Sequence, residues 1–140
     1  LEGKQGFGAV RGGGKLEMLF SICFDFFIEK EIKTMTIIYI KSTAEFMKIR
    51  SRPMIVKYGA KWCGPCKAIA PVYERISNDP RYKQLLTFVV IDIEVTPDLA
   101  TLYSVSAVPT FQAFKYGRIV DQFTGASEER LKKMARMMFE

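Results

Sequence analysis

Apolar residues along this chain switch between short continuous runs and stripes at helical spacing, the mark of strands alternating with helices. Residues 36–41 form an apolar, β-branched run and predict a first strand. Ser42-Thr43-Ala44-Glu45 has the spacing of a capping box, so a short helix follows to about residue 50. A mostly apolar run over residues 53–58 predicts the second strand. Over residues 67–77, Ala68, Ile69, Val72, Tyr73 and Ile76 recur at helical spacing, and Pro71 bends that helix by removing a hydrogen bond. Residues 86–93 are continuous enough for a strand buried on both faces. Thr96-Pro97-Asp98 opens a third helix with a capping hydroxyl, a proline at the first position and an acid in the first turn. Residues 109–114 and 118–123 pair as a hairpin around Gly117. Ser127 caps a last helix whose Leu131, Met134, Ala135 and Met138 share one face, which reads as packing surface.

The order β-α-β-α-β-α-β-β-α implies an α/β fold, a mixed central sheet sandwiched by helices. Right-handed parallel crossovers then bring the end of the second strand and the start of its helix to one edge of the sheet, where function is expected. All of these elements lie in residues 35–140, which are predicted to form a single domain. The texture changes before Met35. Residues 1–34 hold a glycine-rich run and an apolar cluster around Phe24, and read as an N-terminal extension outside the fold. A partner-binding or membrane-surface segment, an irregular organelle signal and translated upstream sequence are the alternatives for it. Its longest apolar run, residues 19–28, is interrupted by Asp25 and is too short to span a membrane. The extension carries five basic and five acidic residues, so the net charge of +6 belongs to residues 35–140. That excess suits acidic partner surfaces, but it is dispersed. Lys132, Lys133 and Arg136 read as a solvated helix face, and no nucleic-acid signature accompanies them.

Candidate chemistry concentrates at Trp62-Cys63-Gly64-Pro65-Cys66-Lys67, on the predicted junction of the second strand with its helix. Two thiols separated by two residues in that setting point to thiol–disulfide exchange. The opening turn of a helix presents unpaired N–H groups and the positive end of the helix dipole, which favour thiolate over thiol. Lys61 and Lys67 add positive charge. Cys63 is therefore the expected nucleophile. Cys66, one turn in and better shielded, is the expected resolving thiol. The chain has three cysteines and no histidine, and Cys23 lies far upstream, so neither a structural zinc nor an iron–sulfur centre is expected within one chain. Lacking histidine also excludes a Cys-His hydrolase and imidazole proton shuttling. No metal or cofactor is predicted.

The motif from Trp62 to Lys67 is followed in order by Pro71, Val108-Pro109-Thr110, Phe114-Lys115-Tyr116-Gly117 and Gly125-Ala126. Over about residues 36–139 this ordered set resembles the thioredoxin family. The resemblance implies the thioredoxin fold, a redox-active Cys63–Cys66 disulfide with a lowered pKa at the first cysteine, and a protein-disulfide reductase serving cell redox homeostasis. It also implies that the Val108–Pro109 bond is cis and lies against the disulfide, with the Val108 backbone free to pair with an extended substrate. Beside these, Trp62 offers a flat apolar surface for docking, Pro65 restricts the loop and tunes the dithiol–disulfide balance, and Gly64 keeps the approach to sulfur open. One position departs from the family. Thioredoxins usually carry an aspartate six residues before the first cysteine, buried beneath the second; here that residue is Lys57, and the lysine usually paired with the aspartate aligns with Val90. Lys57 either snorkels to water or handles the Cys66 proton in another way.

The partners implied are disulfide-containing proteins and a thioredoxin reductase, with the chain a cytoplasmic monomer. Two alternatives accompany this reading: a disulfide isomerase or oxidase, and a thioredoxin-fold binding module with secondary redox activity. Gly64-Pro65 between the cysteines favours a reducing protein over the histidine-containing motif of typical isomerases.

Overall fold

The computed structural model describes residues 37–140. The expected extension over residues 1–34, Cys23 and the first residue of the predicted first strand lie outside the described residues. In chain order the elements are β1 (Ile37–Ile40), α1 (Thr43–Ile49), β2 (Met54–Gly59), α2 (Gly64–Asn78), α3 (Pro80–Lys83), β3 (Thr87–Asp92), α4 (Pro97–Leu102), β4 (Thr110–Lys115), β5 (Arg118–Thr124) and α5 (Glu128–Met137). The strands form one sheet in the order β1-β3-β2-β4-β5. β3 runs parallel to both β1 and β2, whereas β4 is antiparallel to β2 and β5 to β4.

Side-chain alternation on the strands builds two cores. Ile55, Phe88 and Phe111 face one way, against Ile69, Val72, Tyr73 and Ile76 of α2 and the predicted stripe Leu131, Met134, Ala135 and Met138. Met54, Val56, Tyr58, Val89 and Ile91 face the other way, against Phe46 of α1 and Leu99 of α4. β2 is central and every one of its residues is buried, so the strand that leads into the cysteine motif is firmly held. Burying each large aliphatic or aromatic side chain here contributes about 1.5–3 kcal/mol. Tyr73 also ties α2 to two strands: its hydroxyl lies 2.8 Å from the Ile55 and Val89 carbonyls and accepts the Val89 N–H at 3.0 Å.

Local chemistry sets the element ends. Ser42 Oγ accepts the Glu45 N–H at 3.2 Å, while the Glu45 carboxylate reaches back to the Lys41 N–H at 3.0 Å, a capping box displaced by one residue. The β4–β5 hairpin turns on Tyr116 and Gly117, both at positive φ (53° and 77°), the pair a two-residue type I′ turn requires. α2 starts at Gly64, with Cys63 just before its first turn as expected, and continues through Pro71 to Asn78. Two details differ from expectation. The short helix α3 was not predicted, although Asp79-Pro80 supplies its start: the Asp79 carboxylate accepts the Arg81 N–H at 2.9 Å, and Pro80 needs no donor at the first position. Thr96 occupies the N-cap position of α4 but does not cap it. Its hydroxyl instead donates back to the Asp92 carbonyl at 3.3 Å.

Candidate active site

The carboxyl ends of β2 and β3 meet the amino end of α2 at one edge of the sheet, as the parallel crossovers require. Cys63 is the N-cap of α2, and its Sγ accepts the Cys66 N–H at 3.1 Å. The sulfur thus takes up one of the orphan donors of the first turn. Cys63 and Cys66 are joined as a disulfide with Cα atoms 5.3 Å apart. Their exposures correct one expectation: both residues are 4% accessible, so shielding does not rank them. Cys63 is tucked in because its sulfur folds over the helix start to serve as the cap. What separates the two is their surroundings. Cys66 lies over the end of β2, where a Cβ on Gly59 would touch its Sγ at 3.5 Å, and it borders the cleft that Lys57 also lines.

The remaining predicted residues gather around this pair. Val108 and Ile93 pack against the cluster of Ala60, Cys63 and Cys66. The Val108–Pro109 peptide bond is cis, and Pro109 is buried. The Pro109 carbonyl accepts the Gly125 N–H at 2.9 Å, and the Thr110 hydroxyl donates to the Ala107 carbonyl at 2.6 Å, which fixes both sides of the loop. Among the described residues, Val108 takes part in no backbone hydrogen bond. Gly64 is exposed and a Cβ there would meet nothing within 4 Å, so its small size leaves open space rather than relieving a clash. Pro65 sits in the first turn of α2, where a missing N–H costs little.

Trp62 is 64% exposed, and its indole N–H donates to the Glu94 carboxylate at 2.8 Å. Glu94 is in turn positioned by its own N–H, which donates to Asp92 Oδ1 at 2.8 Å. Sequence reading missed Glu94. The available signal was its place just past β3, whose carboxyl end the parallel topology sets beside that of β2.

Lys57 lies on the α2 side of β2, paired in register with Val90 on β3 and Phe111 on β4. It is only 7% exposed, and its Nζ donates to the Cys66 carbonyl at 3.0 Å. The ammonium position is 5.9 Å from the centre of the Tyr73 ring. Burial lowers the Lys57 pKa, a shift that the negative charge of Glu74 partly opposes. The amine therefore sits beneath the second cysteine, on the wall of a 340 Å³ cleft. Among the described residues, no group of three or more His, Cys, Asp or Glu side chains is arranged to hold a metal ion. No helix among them is long and apolar enough to cross a membrane.

Comparison with known proteins matches this arrangement. The Thioredoxin family model matches residues 37–137. The putative thioredoxin-5 of Dictyostelium discoideum is 36% identical over 100 residues, covering 70% of this chain and 94% of that protein. The H-type thioredoxin of Chlamydomonas reinhardtii is 38% identical over 87 residues, covering 62% of this chain and 75% of that protein. Among solved structures, Plasmodium falciparum thioredoxin superposes with a TM-score of 0.67 at 34% identity, covering 71% of this chain and 97% of that one. With the sheet order, the disulfide at the α2 start and the cis-proline loop beside it, these matches show that the chain belongs to the thioredoxin family and is a thiol–disulfide oxidoreductase.

Proposed function

We propose that this chain reduces protein disulfides with Cys63 as the attacking thiolate and Cys66 as the resolving thiol. The observation that carries the assignment is the place of Cys63 as N-cap of α2, its sulfur receiving the Cys66 N–H at 3.1 Å. A thiolate there is stabilised by the helix terminus, and the same donor is available to the sulfur in the reduced state. Cys63 attacks one sulfur of the substrate disulfide, and the other leaves as a thiolate that takes up a proton. Cys66 then attacks Cys63 Sγ, which releases the second substrate thiol and forms the disulfide present in this structure. Two electrons and two protons, delivered by a thioredoxin reductase, restore the dithiol.

The surroundings suit an extended substrate. The unengaged backbone of Val108 beside cis-Pro109 offers strand-like hydrogen bonds to a peptide lying across the disulfide. Trp62, held by Glu94, presents an apolar face next to the nucleophile. Pro65 stiffens the turn between the sulfurs and so weights the balance of dithiol and disulfide, and Gly64 leaves the approach unobstructed. The protein acts as a monomer on disulfide-bearing proteins in a reducing, cytoplasmic setting. The test is covalent trapping with turnover. Cys66→Ser accumulates mixed disulfides with substrate and Cys63→Ser forms none, while the intact protein turns over with a thioredoxin reductase and NADPH. Trapping through Cys66 in the Cys63→Ser protein would reverse the two roles.

A further inference from the structure

Among the described residues, Lys57 is the one Lys, Arg, Asp or Glu that is buried. No carboxylate compensates it directly, because the ion pairs among those residues are Arg75–Glu128, Arg81–Asp79 and Lys132–Glu128. A desolvated ammonium without a carboxylate partner loses several kcal/mol of hydration, so the neutral amine becomes an accessible state. The amine also lies against the backbone of Cys66. It is 3.0 Å from the Cys66 carbonyl, and both residues line the same open cleft, whose 340 Å³ can hold a bridging water where direct contact is not made.

We infer that Lys57 is the proton acceptor for Cys66 when the mixed disulfide is resolved. The inference rests on the assignment of Cys66 as the resolving thiol. In the mixed disulfide the Cys66 thiol passes its proton to the neutral Lys57 amine, directly or through one water. The thiolate so formed attacks Cys63 Sγ. The new Cys63–Cys66 bond forms as the bond from Cys63 to substrate breaks, and the substrate sulfur leaves with the electron pair. Lys57, now an ammonium, donates to the Cys66 carbonyl, which is the arrangement of this disulfide-bonded structure. Its proton then leaves through the cleft to water or to the departing thiolate. An amine differs here from a carboxylate in sign: on accepting the proton it becomes a cation, which holds the thiolate it has just made, whereas a protonated carboxylate is neutral.

The other groups around Lys57 are consistent with this role. From α2 come Cys66, Lys67, Tyr73 and Glu74, from β1 Tyr39, from the end of β3 Asp92 and from the loop after β2 Lys61, while its β4 neighbour Phe111 does not titrate. The Tyr73 hydroxyl is kept protonated by burial. Glu74 moderates the positive charge, and neither it nor Asp92 forms an ion pair with the amine.

With Cys23 replaced by serine in every protein compared, so that only the motif thiols react, single-turnover kinetics with 5,5′-dithiobis(2-nitrobenzoate) test the inference, since attack by Cys63 releases one thionitrobenzoate and resolution by Cys66 releases a second. Lys57→Met slows the second release about tenfold or more at neutral pH and leaves the first unchanged. The two proteins converge at high pH, where hydroxide removes the thiol proton. Lys57→Gln keeps an N–H for the Cys66 carbonyl without a basic nitrogen and behaves as Lys57→Met does. In a Cys63→Ala background, either substitution also raises the pH at which Cys66 becomes alkylable by iodoacetamide, by about one unit or more. Unchanged second release in Lys57→Met, or restoration of the rate by Lys57→Gln, overturns the inference. A second release from Cys66→Ser would instead overturn the assignment of Cys66, whatever Lys57 does.

Discussion

Replacing Lys57 with methionine should stabilise the oxidised protein, and the structure fixes both the size and the pH dependence of the effect. The substitution removes the bond from Nζ to the Cys66 carbonyl, a charged-donor hydrogen bond of about 1.5–3 kcal/mol, and a cation–π contact at the edge of its range, about 0.5 kcal/mol. It leaves no orphan acceptor, because a carbonyl in the first turn of α2 still receives the helical N–H four residues on. It also removes the desolvation penalty of an ammonium that is 7% exposed, which is several kcal/mol, while methionine keeps the apolar stem among its neighbours. The net expectation is a gain of about 1–2 kcal/mol at neutral pH. For a domain near this size that is a rise in Tm of about 4–8 °C. The pH dependence follows from the lowered pKa of Lys57 in the folded protein against 10.5 for the solvent-exposed amine in the unfolded chain. Between those two values the unfolded chain binds more protons, so wild-type stability rises with pH there. The methionine protein lacks this rise. Its advantage is greatest below the folded pKa and closes as pH climbs toward 10.5. Denaturant melts of both proteins across that window, with the disulfide intact so that neither cysteine titrates, read the difference directly. Tyr58 and Tyr73, whose pKa values burial raises, enter both curves alike. Parallel curves, or a methionine variant that melts lower at neutral pH, would refute the treatment of Lys57 as a desolvated charge.

A protein trimmed to residues 35–140 is expected to keep the cooperative melt and the reductase turnover of the full chain, since every element described and both motif cysteines lie within it; loss of either would make the extension part of the domain. Glu94→Ala frees the Trp62 indole, and because the chain has a single tryptophan, its fluorescence reports the change while KM for a protein disulfide rises about two- to tenfold with kcat preserved; an unchanged emission spectrum would count against the contact. Leu131→Ala, which opens a cavity at a fully buried position under α5, costs about 2–5 kcal/mol in a denaturant melt and leaves the midpoint potential of the disulfide unaltered; a shift in potential would mean that the far core is coupled to the sulfurs.

Which features were legible in the sequence follows from how local their causes are. The strand before Cys63, the helix after it and the stripe Leu131, Met134, Ala135 and Met138 are written as periodicities within a few consecutive residues, and each appears where the pattern puts it. The order of elements then constrains the topology, so the sheet edge carrying the site was readable before any contact was. The Ser127 cap is equally local, its hydroxyl accepting the Arg130 N–H at 3.3 Å. Thr96 has the same credentials and does otherwise, because the carbonyl of Asp92 lies within reach of its hydroxyl. A capping motif specifies which bond is available; the path of the preceding loop decides which one forms.

The site shows the same division more sharply. Adjacent letters identify two thiols at a helix start, but Glu94 enters only because the parallel pairing of β2 with β3 ends both strands at the same level, from which Glu94 reaches the Trp62 indole across 32 positions of sequence. Lys57 is the stronger case. On a central strand its side chain must face one of two helical layers, and the alternation that sends Val56 and Tyr58 to the layer of α1 and α4 turns Lys57 toward α2. Its position near the carboxyl end of the strand sets it under the first turn of that helix rather than under the middle, which is why its amine meets the Cys66 carbonyl and only the edge of the apolar face at Tyr73. Moving the lysine by one residue in either direction would place it in the opposite core, and by two residues toward the start of the strand at Ile55, deep beneath α2. Position 57 combines burial with access to a cleft, and a side chain at Gly59, the next residue on the same face, would run into the Cys66 sulfur instead; that combination lets a single cationic side chain persist beneath a redox-active disulfide.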